Sequence, residues 1–364
     1  MIHNLLDNGK DKIKVRLSVP VRVADIGGWI DTWFAHYGSV LNLSVWCKEY
    51  GTKKDFQGVG MEAKFSKSKS KKGKLVLHTP DIPGNNKQYF VEDQKDWDKT
   101  DLLQAAISVM GIPKKINSEI IIKSAVPPGA STGTSASVSV GIVALLEYAT
   151  RGEIDPKWLA RTTHEVETKH MGIECGVQDQ VAAAFATGIQ YTDIYRYPLT
   201  RISEVELSEK TREKFENKLL TIVYGKPHSS GEIHKMVIEK ILSGKMNHLL
   251  EDFRPIPPRA RFNLINKDFK AYGKDMISNT ECIRAMHPKL ISEEADKIIE
   301  IAKKNKVLGW KVNGAAGPDG GSMTLLLSND GAKEKFAAEI KKEKLAKNIF
   351  EHKLAKGGLK PEII

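Results

Sequence analysis

The stretch VPPGASTGTSASVSVGIVALLEY, residues 126–148, decides the fold. It is preceded by INSEIIIKSAV, residues 116–126, whose β-branched residues predict a strand. Two prolines then end the strand, and Gly129 and Gly133 permit positive φ angles in a tight loop. Apolar residues at helical spacing follow and predict a helix over residues 134–149. We therefore expect a strand, a loop and a helix in succession.

The loop has two interpretations. The first N–H groups of a helix lack partners within the helix, and together with the helix dipole they form a site for anions. The hydroxyls of Thr134, Ser135 and Ser137 are able to contact phosphate oxygens or a magnesium ion. However, the stretch lacks the lysine of the G-x-x-x-x-G-K-[ST] phosphate loop. A tight turn capped by hydroxyl groups is therefore the alternative to phosphate binding.

The composition is that of a globular protein with two domains. The chain has 364 residues, of which 41% are hydrophobic and 28% are charged. Its net charge is +11, but six lysines lie in KFSKSKSKKGK, residues 64–74. Such a run is typical of a solvated hairpin tip, with contact to an anion or RNA as the alternative. We therefore expect no nucleic-acid partner.

Neither export nor membrane insertion is indicated. No apolar run reaches the roughly 18 residues that span a bilayer, and residues 1–14 lack the charged and then apolar order of a signal peptide. Cys47, Cys175 and Cys282 are odd in number and lack metal-ligand spacing. We expect reduced thiols in a cytoplasmic protein without membrane contact. The sequence does not determine the oligomeric state.

The remaining patterns predict two regions of different texture. A helix is expected over residues 101–110 with Asp101 or Thr100 as its cap, and another follows the cap residue Ser292. Further helices are expected over 157–170, 177–187 and 230–242, and further strands over 13–19, 39–46, 74–79, 88–92, 218–225 and 322–328. Near residues 197–210 the pattern changes to strands that alternate with longer helices, which predicts domains over 1–200 and 201–364.

The opening loop resembles the second motif of the GHMP kinases, P-P-G-x-G-L-G-S-S-A. The matching residues are Pro127, Pro128, Gly129, Gly133, Ser135 and Ala136. Ser131 replaces a glycine of that motif, Thr132 the leucine, and Thr134 the first serine. The two flanking glycines and the hydroxyl of Ser135 are retained, so the resemblance favours phosphate binding over a plain turn.

The stretch SVPVRVADIGGWIDT, residues 18–32, resembles the first motif of the same family in its sugar-kinase form, P-x-R-x-x-x-x-G-G-W-x-D. The matching residues are Pro20, Arg22, Gly27, Gly28, Trp29 and Asp31. This form looks most similar to fucokinases and heptose-phosphate kinases. Galactokinases carry G-E-H-x-D instead, so Gly28 and Trp29 argue against galactose.

A third stretch, ETKHMGIECGVQDQVAAAF at residues 167–185, resembles the segment around G-x-x-D-Q in galactokinases and heptose-phosphate kinases. Gly176, Asp179 and Gln180 match. The spacing from Glu167 to Asp179 is that of the family's metal-binding glutamate and catalytic aspartate. On residue pattern alone, a solvated helix face is the alternative for Glu167.

The family's third motif is matched less closely. The stretch GWKVNGAAGPDGGSMTLLL, residues 309–327, resembles K-x-x-G-A-G-G-G-G. Ala316 replaces a glycine, and Pro318 and Asp319 interrupt the run. A glycine loop at this place suits a close approach of backbone to substrate or to the phosphate loop.

The resemblance implies a two-domain α+β fold, with an N-terminal α/β domain like domain 2 of ribosomal protein S5 and a C-terminal ferredoxin-like GHMP domain. It implies an ATP- and Mg²⁺-dependent kinase of a small sugar or sugar phosphate, acting at the anomeric C1 hydroxyl of a fucose- or heptose-phosphate-like sugar. One alternative is a kinase of another alcohol, such as mevalonate. Another is a family member without catalysis that senses a sugar.

The resemblance also assigns roles to residues. Asp179 would act as general base or stabilise developing charge, and Arg22 would keep Asp179 ionised. Ser135 and Glu167 would hold Mg²⁺, since hard cations prefer oxygen ligands. The ATP phosphates would contact Pro128, Gly129, Ala130, Ser131, Gly133, Thr134 and Ser135. The substrate would contact Gly28, Trp29, Asp31, Gly176 and Gly314.

Overall fold

The computed structural model describes residues 2–7, 11–69, 73–80, 87–90, 101–111, 114–226, 231–314 and 317–364. Thr100, Ala316, the end of the strand expected over 88–92 and the centre of the lysine run lie outside these residues.

The predicted strands and helices are confirmed where they fall in the described ranges, with ends displaced by a few residues. The strands are β1 (Lys12–Val19), β2 (Val21–Ile26), β3 (Gly38–Glu49), β4 (Val59–Lys67), β5 (Lys74–His78), β6 (Lys87–Phe90), β7 (Ile116–Ser124), β8 (Ile189–Arg196), β9 (Leu199–Glu204), β10 (Leu219–Gly225), β11 (Gly309–Val312), β12 (Gly320–Leu326), β13 (Asn348–Leu354) and β14 (Glu362–Ile363). The helices are α1 (Ile2–Asp7), α2 (Leu102–Met110), α3 (Thr134–Arg151), α4 (Pro156–Glu165), α5 (Gln178–Phe185), α6 (Glu209–Lys218), α7 (Gly231–Leu242), α8 (Asn247–Phe253), α9 (Ile256–Ile265), α10 (Phe269–Met286), α11 (Glu293–Lys304) and α12 (Asp330–Lys342).

The strands form two sheets. The first has the order β14-β1-β4-β7-β5-β6, in which β5 and β7 are parallel and the other pairs are antiparallel. The second has the order β11-β12-β10-β13-β3-β8-β9, and β2 pairs with β3. Strand β1 alternates buried and exposed residues, and β7 alternates buried and partly buried ones, which is the pattern of strands with one face toward the core.

Strand β2 is different, because all six of its residues are buried. It contacts helices α3, α5, α9 and α10 as well as strands β11 and β12. Since β2 carries Arg22 and Asp25, its position places two charged side chains in the interior. These charges need partners there, because an unpaired buried charge is strongly unfavourable.

Helix α3 packs on the first sheet against β1 and β4, and its apolar residues belong to the larger hydrophobic core. It begins after Gly133, at φ 67°, and ends before Gly152, at φ 89°. The helix predicted from residue 134 is thus confirmed and extends to Arg151 because the stop is provided by Gly152. Asp101 caps α2 by accepting hydrogen bonds from the N–H groups of the first turn, as predicted.

The helix predicted over residues 157–170 consists of two parts. Helix α4 begins after the cap residue Asp155, with Pro156 in the first turn, where its missing N–H costs no hydrogen bond. From Val166 to His170 the chain widens into a π-helical turn, closed by a hydrogen bond from Met171 N to Val166 O of 3.1 Å. Such wide turns often occur at functional sites, and this one carries Glu167.

A second hydrophobic core lies between β10–β12 and helices α7, α8, α10, α11 and α12. Ser292 caps α11 by accepting a hydrogen bond from Ala295 N of 3.2 Å, as predicted. Ala295 is fully buried, which explains why this position does not carry the glutamate of a capping box.

The second sheet takes strands from both sides of residue 200, since β3 and β8 share it with β10 to β13. Strand β14 returns to the first sheet through its pairing with β1. The sheets alone therefore do not assign a boundary, and the division into 1–200 and 201–364 stays a prediction. Within the described part of the chain, no helix has both the length and the apolar character needed to cross a membrane.

Candidate active site

The loop between β7 and α3, residues 125–133, turns through three residues with positive φ. These are Gly129 at 77°, Ser131 at 55° and Gly133 at 67°. Ser131 stands where the related motif has a glycine, and it adopts the conformation for which glycine is favoured. The substitution therefore keeps the bend of the loop at the cost of some backbone strain.

Neighbouring segments hold this loop in place. Arg22 N donates to Thr132 O at 3.0 Å, and Ser322 Oγ donates to Ala130 O at 2.5 Å. Pro128 and Gly129 are exposed, while Ala130 is buried. Strand β2 and strand β12 thus fix the inner side of the loop, and the outer side stays open toward solvent.

The start of α3 carries the hydroxyls predicted to bind phosphate. Ser135 is exposed in the first turn, and the Thr134 hydroxyl lies 3.0 Å from that of Thr132. Ser137 is buried and donates to Pro20 O at 2.8 Å, so its hydroxyl serves to join α3 to the segment before β2. Of the three hydroxyl residues considered from the sequence, Ser135 is the exposed one.

Arg22 and Asp179 lie side by side next to the loop. Arg22 Nε donates to Asp179 Oδ1 at 2.6 Å, and Arg22 Nη2 donates to Asp179 Oδ2 at 3.2 Å. The third nitrogen, Nη1, donates to Ser131 O at 2.6 Å. The Arg22 side chain is 5% exposed and that of Asp179 is 27% exposed. Asp179 is therefore partly exposed to solvent, and the buried Arg22 side chain holds it from the interior.

The charges around Arg22 stabilise its ionised form. Burial alone would lower the pKa of Arg22, but the carboxylates of Asp179, Asp25 and Asp31 raise it further above its ordinary value. The guanidinium is therefore a permanent cation in this site. The same guanidinium fixes the Asp179 carboxylate in one orientation through two charge-assisted hydrogen bonds.

Asp31 lies in the interior, 1% exposed, and accepts a hydrogen bond from Gln178 N of 3.0 Å at Oδ2. Burial raises the pKa of Asp31 to about 7, with the nearby negative charges of Asp179 and Asp25 contributing. Gly176 is the residue that makes room for this carboxylate, because a Cβ there would lie 1.9 Å from Asp31 Oδ2. The predicted substrate residues Asp31 and Gly176 are therefore direct neighbours.

The other predicted substrate residues lie around the same charges. A Cβ on Gly28 would lie 2.7 Å from Asp25 Oδ2, and a Cβ on Gly314 would lie 3.2 Å from Arg22 Nη2. Trp29 instead packs into the second core, edge-on to His234 at a ring distance of 5.2 Å. Its indole Nε1 is buried and has no hydrogen-bond partner among the described residues.

Glu167 is 9% exposed and accepts a hydrogen bond from Gln180 Nε2 of 2.9 Å, so the solvated helix face considered from the sequence is wrong. The wide turn after α4 carries this carboxylate. Burial raises the pKa of Glu167 to about 7, and the charge of Asp179 adds to that shift. A bound cation would reverse such a shift, which fits the predicted role in metal binding.

Among the described residues, no three histidine, cysteine, aspartate or glutamate side chains are grouped so that they could hold a metal ion. The assignment of Ser135 and Glu167 to Mg²⁺, like the other assigned contacts with ATP and substrate, stays a prediction.

Two charged residues at this site were not singled out from the sequence. Asp25 and Lys311 are both fully buried, with Lys311 Nζ 3.5 Å from Asp25 Oδ1. Asp25 also accepts hydrogen bonds from Gly314 N of 3.0 and 3.2 Å. The sequence did contain a signal, because each is a charged residue in a short apolar strand, VRVADI or GWKV.

Part of the chain matches a known protein family. Residues 99–187 match the family described as GHMP kinases N terminal domain. This range contains the loop, helix α3, Glu167 and Asp179. The family matched is the one whose motifs the loop resembles.

Two relatives align with most of the chain. The bifunctional fucokinase/GDP-fucose pyrophosphorylase of Arabidopsis thaliana is 24% identical over 342 residues, which is 88% of this chain and 30% of that protein. The galactokinase of Thermotoga neapolitana is 24% identical over 298 residues, which is 74% of this chain and 82% of that protein. The chain therefore spans less than a third of the plant relative and most of the bacterial one.

The fold is shared with solved kinase structures. Lactococcus lactis galactokinase, complexed with galactose, has a TM-score of 0.71 to this chain, with 99% of each chain covered at 13% identity. This likeness concerns the fold, and it confirms the predicted two-domain α+β class. The motif segments, the matched domain over residues 99–187 and the shared fold all make this chain similar to the GHMP kinases.

Proposed function

We propose that this chain is an ATP- and Mg²⁺-dependent kinase that transfers the γ-phosphate of ATP to a sugar, at the anomeric C1 hydroxyl of a fucose- or heptose-phosphate-like sugar. The observation that carries the proposal is the two-point ion pair between Arg22 and Asp179 beside the β7–α3 loop. A positioned carboxylate, a fixed cation and an anion-binding loop are the groups that phosphoryl transfer requires.

In this proposal the acceptor hydroxyl of the sugar lies next to the exposed side of Asp179. Asp179 would accept the proton of that hydroxyl, or stabilise the positive charge that develops on it. Arg22 would hold the carboxylate in one orientation and offset the negative charge of the transferred group. The backbone from Gly129 to Ser135 would bind the ATP phosphates through its N–H groups.

Magnesium would be held by Ser135 and Glu167. A hydroxyl and a carboxylate are suitable donors for this ion, which commonly completes its shell with phosphate oxygens and water. When bound, it would neutralise negative charge on the phosphates. The raised pKa of the buried Glu167 supports this role, since a cation beside it would restore the charged form.

A sugar as acceptor is supported by the first motif and by the relatives. The Gly28–Trp29 pair resembles fucokinases and heptose-phosphate kinases, and both aligned relatives are named as sugar kinases. The buried Asp31 would accept hydrogen bonds from sugar hydroxyls. Its carboxyl group can accept further hydrogen bonds, because Oδ2 accepts one from the backbone N–H of Gln178. Three free cysteines agree with the cytoplasmic location expected from the sequence.

The test is ADP release across a panel of free and phosphorylated sugars, with ³¹P NMR to locate the new phosphate. We expect release with one sugar class, a product phosphorylated at C1, and a strong loss of activity in Asp179→Ala. If no sugar stimulates ADP release, or Asp179→Ala stays fully active, the proposal is wrong. Sugar binding by calorimetry without ADP release would instead indicate the non-catalytic sensor.

A further inference from the structure

The carboxylate of Asp25 is a second buried acid in the site, and it does not face solvent. Its side chain is 0% exposed, at the next-to-last residue of β2. A buried carboxylate is strongly destabilising unless charges and hydrogen bonds compensate it. An apolar side chain of similar size would pack at this position without that cost. Packing alone therefore does not account for a carboxylate here.

The contacts of Asp25 come from three separate segments. Gly314 N donates to its carboxylate at 3.0 and 3.2 Å, from the loop after β11. Gln178 Nε2 lies 3.5 Å from Oδ2 and belongs to α5, the helix that also carries Asp179. Arg22 Nη1 lies 3.5 Å from Oδ1 within β2 itself. Asp25 thus connects β2, Gly314 after β11 and helix α5, which carries Asp179.

Lys311 completes the group. Its ammonium is fully buried, lies 3.5 Å from Asp25 Oδ1 and also contacts Val312 O. Burial lowers the pKa of Lys311, and the Asp25 carboxylate opposes that shift. Burial likewise opposes ionisation of Asp25, but Arg22, Lys311 and the Gly314 N–H keep the pKa of Asp25 below its ordinary value.

The group balances charge around Arg22. Two cations, Arg22 and Lys311, alternate with two carboxylates, Asp25 and Asp179. Arg22 directs Nε and Nη2 to Asp179, whereas its Nη1 lies between Ser131 O and Asp25. The guanidinium is planar and its donors have fixed directions. Contacts that hold Nη1 in place therefore also hold Nε and Nη2 in position to donate to Asp179.

The neighbouring backbone is shaped to admit these charges. A Cβ on Gly28 would lie 2.7 Å from Asp25 Oδ2, and a Cβ on Gly314 would lie 3.2 Å from Arg22 Nη2. Two glycines that the motif resemblance assigns to substrate contact thus also give space to the buried ion pairs. A larger residue at either position would displace a charged group.

We propose that Asp25 and Lys311 form a buried ion pair whose task is to position Arg22 against Asp179 and to hold Gly314 beside the phosphate loop. Both are positioning residues, acting through Arg22 and Gly314 without touching substrate. This inference rests on the proposed kinase function for its effect on turnover, and on the geometry alone for its effect on Arg22.

The test compares Asp25→Asn, Lys311→Met and the double variant. Each single variant leaves the buried group with an unbalanced charge, so the melting temperature should fall by at least about 5 °C. The double variant restores charge balance and should recover most of that loss. Its kcat should nevertheless stay about 10- to 100-fold below wild type, the loss expected for a misplaced catalytic group, while KM for ATP changes less than about threefold.

Asp275→Asn is the matched control. Asp275 is also a buried carboxylate, 2% exposed, paired with Arg259 Nε at 2.5 Å in the α9–α10 region. It should lower the melting temperature and leave kcat within about twofold of wild type. A double variant that regains wild-type kcat along with its stability would overturn the proposal and reduce the pair to a structural role.

A second readout does not depend on turnover. In ¹⁵N–¹H spectra the Nε–H of Arg22, identified by its loss in Arg22→Lys, should be protected from exchange by Asp179 in the wild type. Asp25→Asn and the double variant should lose that protection, whereas Asp275→Asn should keep it. If the wild type phosphorylates no sugar, the proposed kinase function is wrong. The exchange protection of the Arg22 Nε–H still tests the positioning role of Asp25 and Lys311 in that case. Unchanged protection in the double variant contradicts it.

Discussion

Arg22 and Asp179 are joined by two hydrogen bonds although 157 positions separate them in the chain, with Nε–Oδ1 at 2.6 Å and Nη2–Oδ2 at 3.2 Å. The arginine side is buried and the aspartate side is partly open. This arrangement sets one orientation of the carboxylate, since both of its oxygens are occupied by fixed donors.

Arg22→Lys keeps the charge but removes the fork of donors. An ammonium cannot reproduce a two-point contact, so we expect kcat to fall about 100-fold with a smaller change in KM. ADP release under saturating substrates measures this. Arg16→Lys is the control, because Arg16 pairs with Glu62 on an exposed surface and should leave kcat unchanged. Equal activity of Arg22→Lys and wild type would contradict the assigned role.

Gly133→Ala should damage the site through both conformation and space. Gly133 has φ 67°, and a Cβ there would lie 3.2 Å from Arg22 Cγ and 3.3 Å from Asp179 Cγ. We expect a loss of about 1–2 kcal/mol in the free energy of unfolding from the left-handed backbone, together with a lower kcat.

Gly51→Ala separates these two effects. Gly51 has φ 81°, and nothing lies within 4 Å of a Cβ placed there. Urea unfolding should show a similar loss of stability for both variants, whereas ADP release should fall in Gly133→Ala alone. A parallel decline in kcat for both variants would show that space near Arg22 and Asp179 is not the cause.

Asp31 makes stability depend on pH. Burial raises its pKa from 3.8 to about 7, so the folded protein holds this proton more strongly than the unfolded chain. Its contribution to stability is present below about pH 4 and is lost as the pH rises through about 7. Each tenfold difference in proton affinity between the folded and unfolded chains corresponds to about 1.4 kcal/mol. Asp31→Asn should therefore gain stability relative to wild type as the pH rises.

Urea unfolding at pH 5 and pH 8 measures this difference. We expect the stability of Asp31→Asn relative to wild type to be greater at pH 8 than at pH 5. Asp11→Asn, at an exposed position, should show no such change between the two pH values. The same difference between Asp31→Asn and wild type at both pH values would show that Asp31 does not hold a proton in the folded state.

Trp29→Phe tests the role of a buried donor. The indole Nε1 of Trp29 has no partner among the described residues, and an unsatisfied buried donor is unfavourable unless a ligand uses it. If the sugar accepts this hydrogen bond, its loss should raise KM for the sugar about 5- to 10-fold. Trp310→Phe removes a similarly buried and unpartnered indole N–H and should leave that KM unchanged. Equal KM values for Trp29→Phe and wild type would exclude this contact.

Ser292→Ala should reduce stability without affecting turnover. The Ser292 hydroxyl oxygen accepts the Ala295 N–H, and loss of such a cap costs about 1 kcal/mol. Ser208→Ala is matched to it, because Ser208 precedes α6 without a side-chain hydrogen bond to the helix backbone. Urea unfolding should show a larger loss for Ser292→Ala, and similar losses for the two variants would contradict the capping role.

The residues of the site differ in how far they could be predicted. Arg22, Asp179 and the glycines of the loop stand in motifs, so their types and spacing were sufficient to select them. Glu167 was ambiguous, because the helix pattern around it permits a solvated face and the widening of the turn after α4 cannot be read from that pattern. Asp25 and Lys311 lacked a local signature strong enough to pair them, since 286 positions separate them.

The sequence by itself determined the local elements and the motif segments that resemble the GHMP kinases. Alternation, helical spacing, proline and glycine positions and cap residues act over a few residues, so β1, β7, α3 and α11 follow from short stretches. Only the tertiary structure decided that Asp25, Arg22, Asp179 and Asp31 share one interior. Their proximity depends on the packing of β2 between α3, α5 and β11, and burial there sets which charges are paired and which pKa values move.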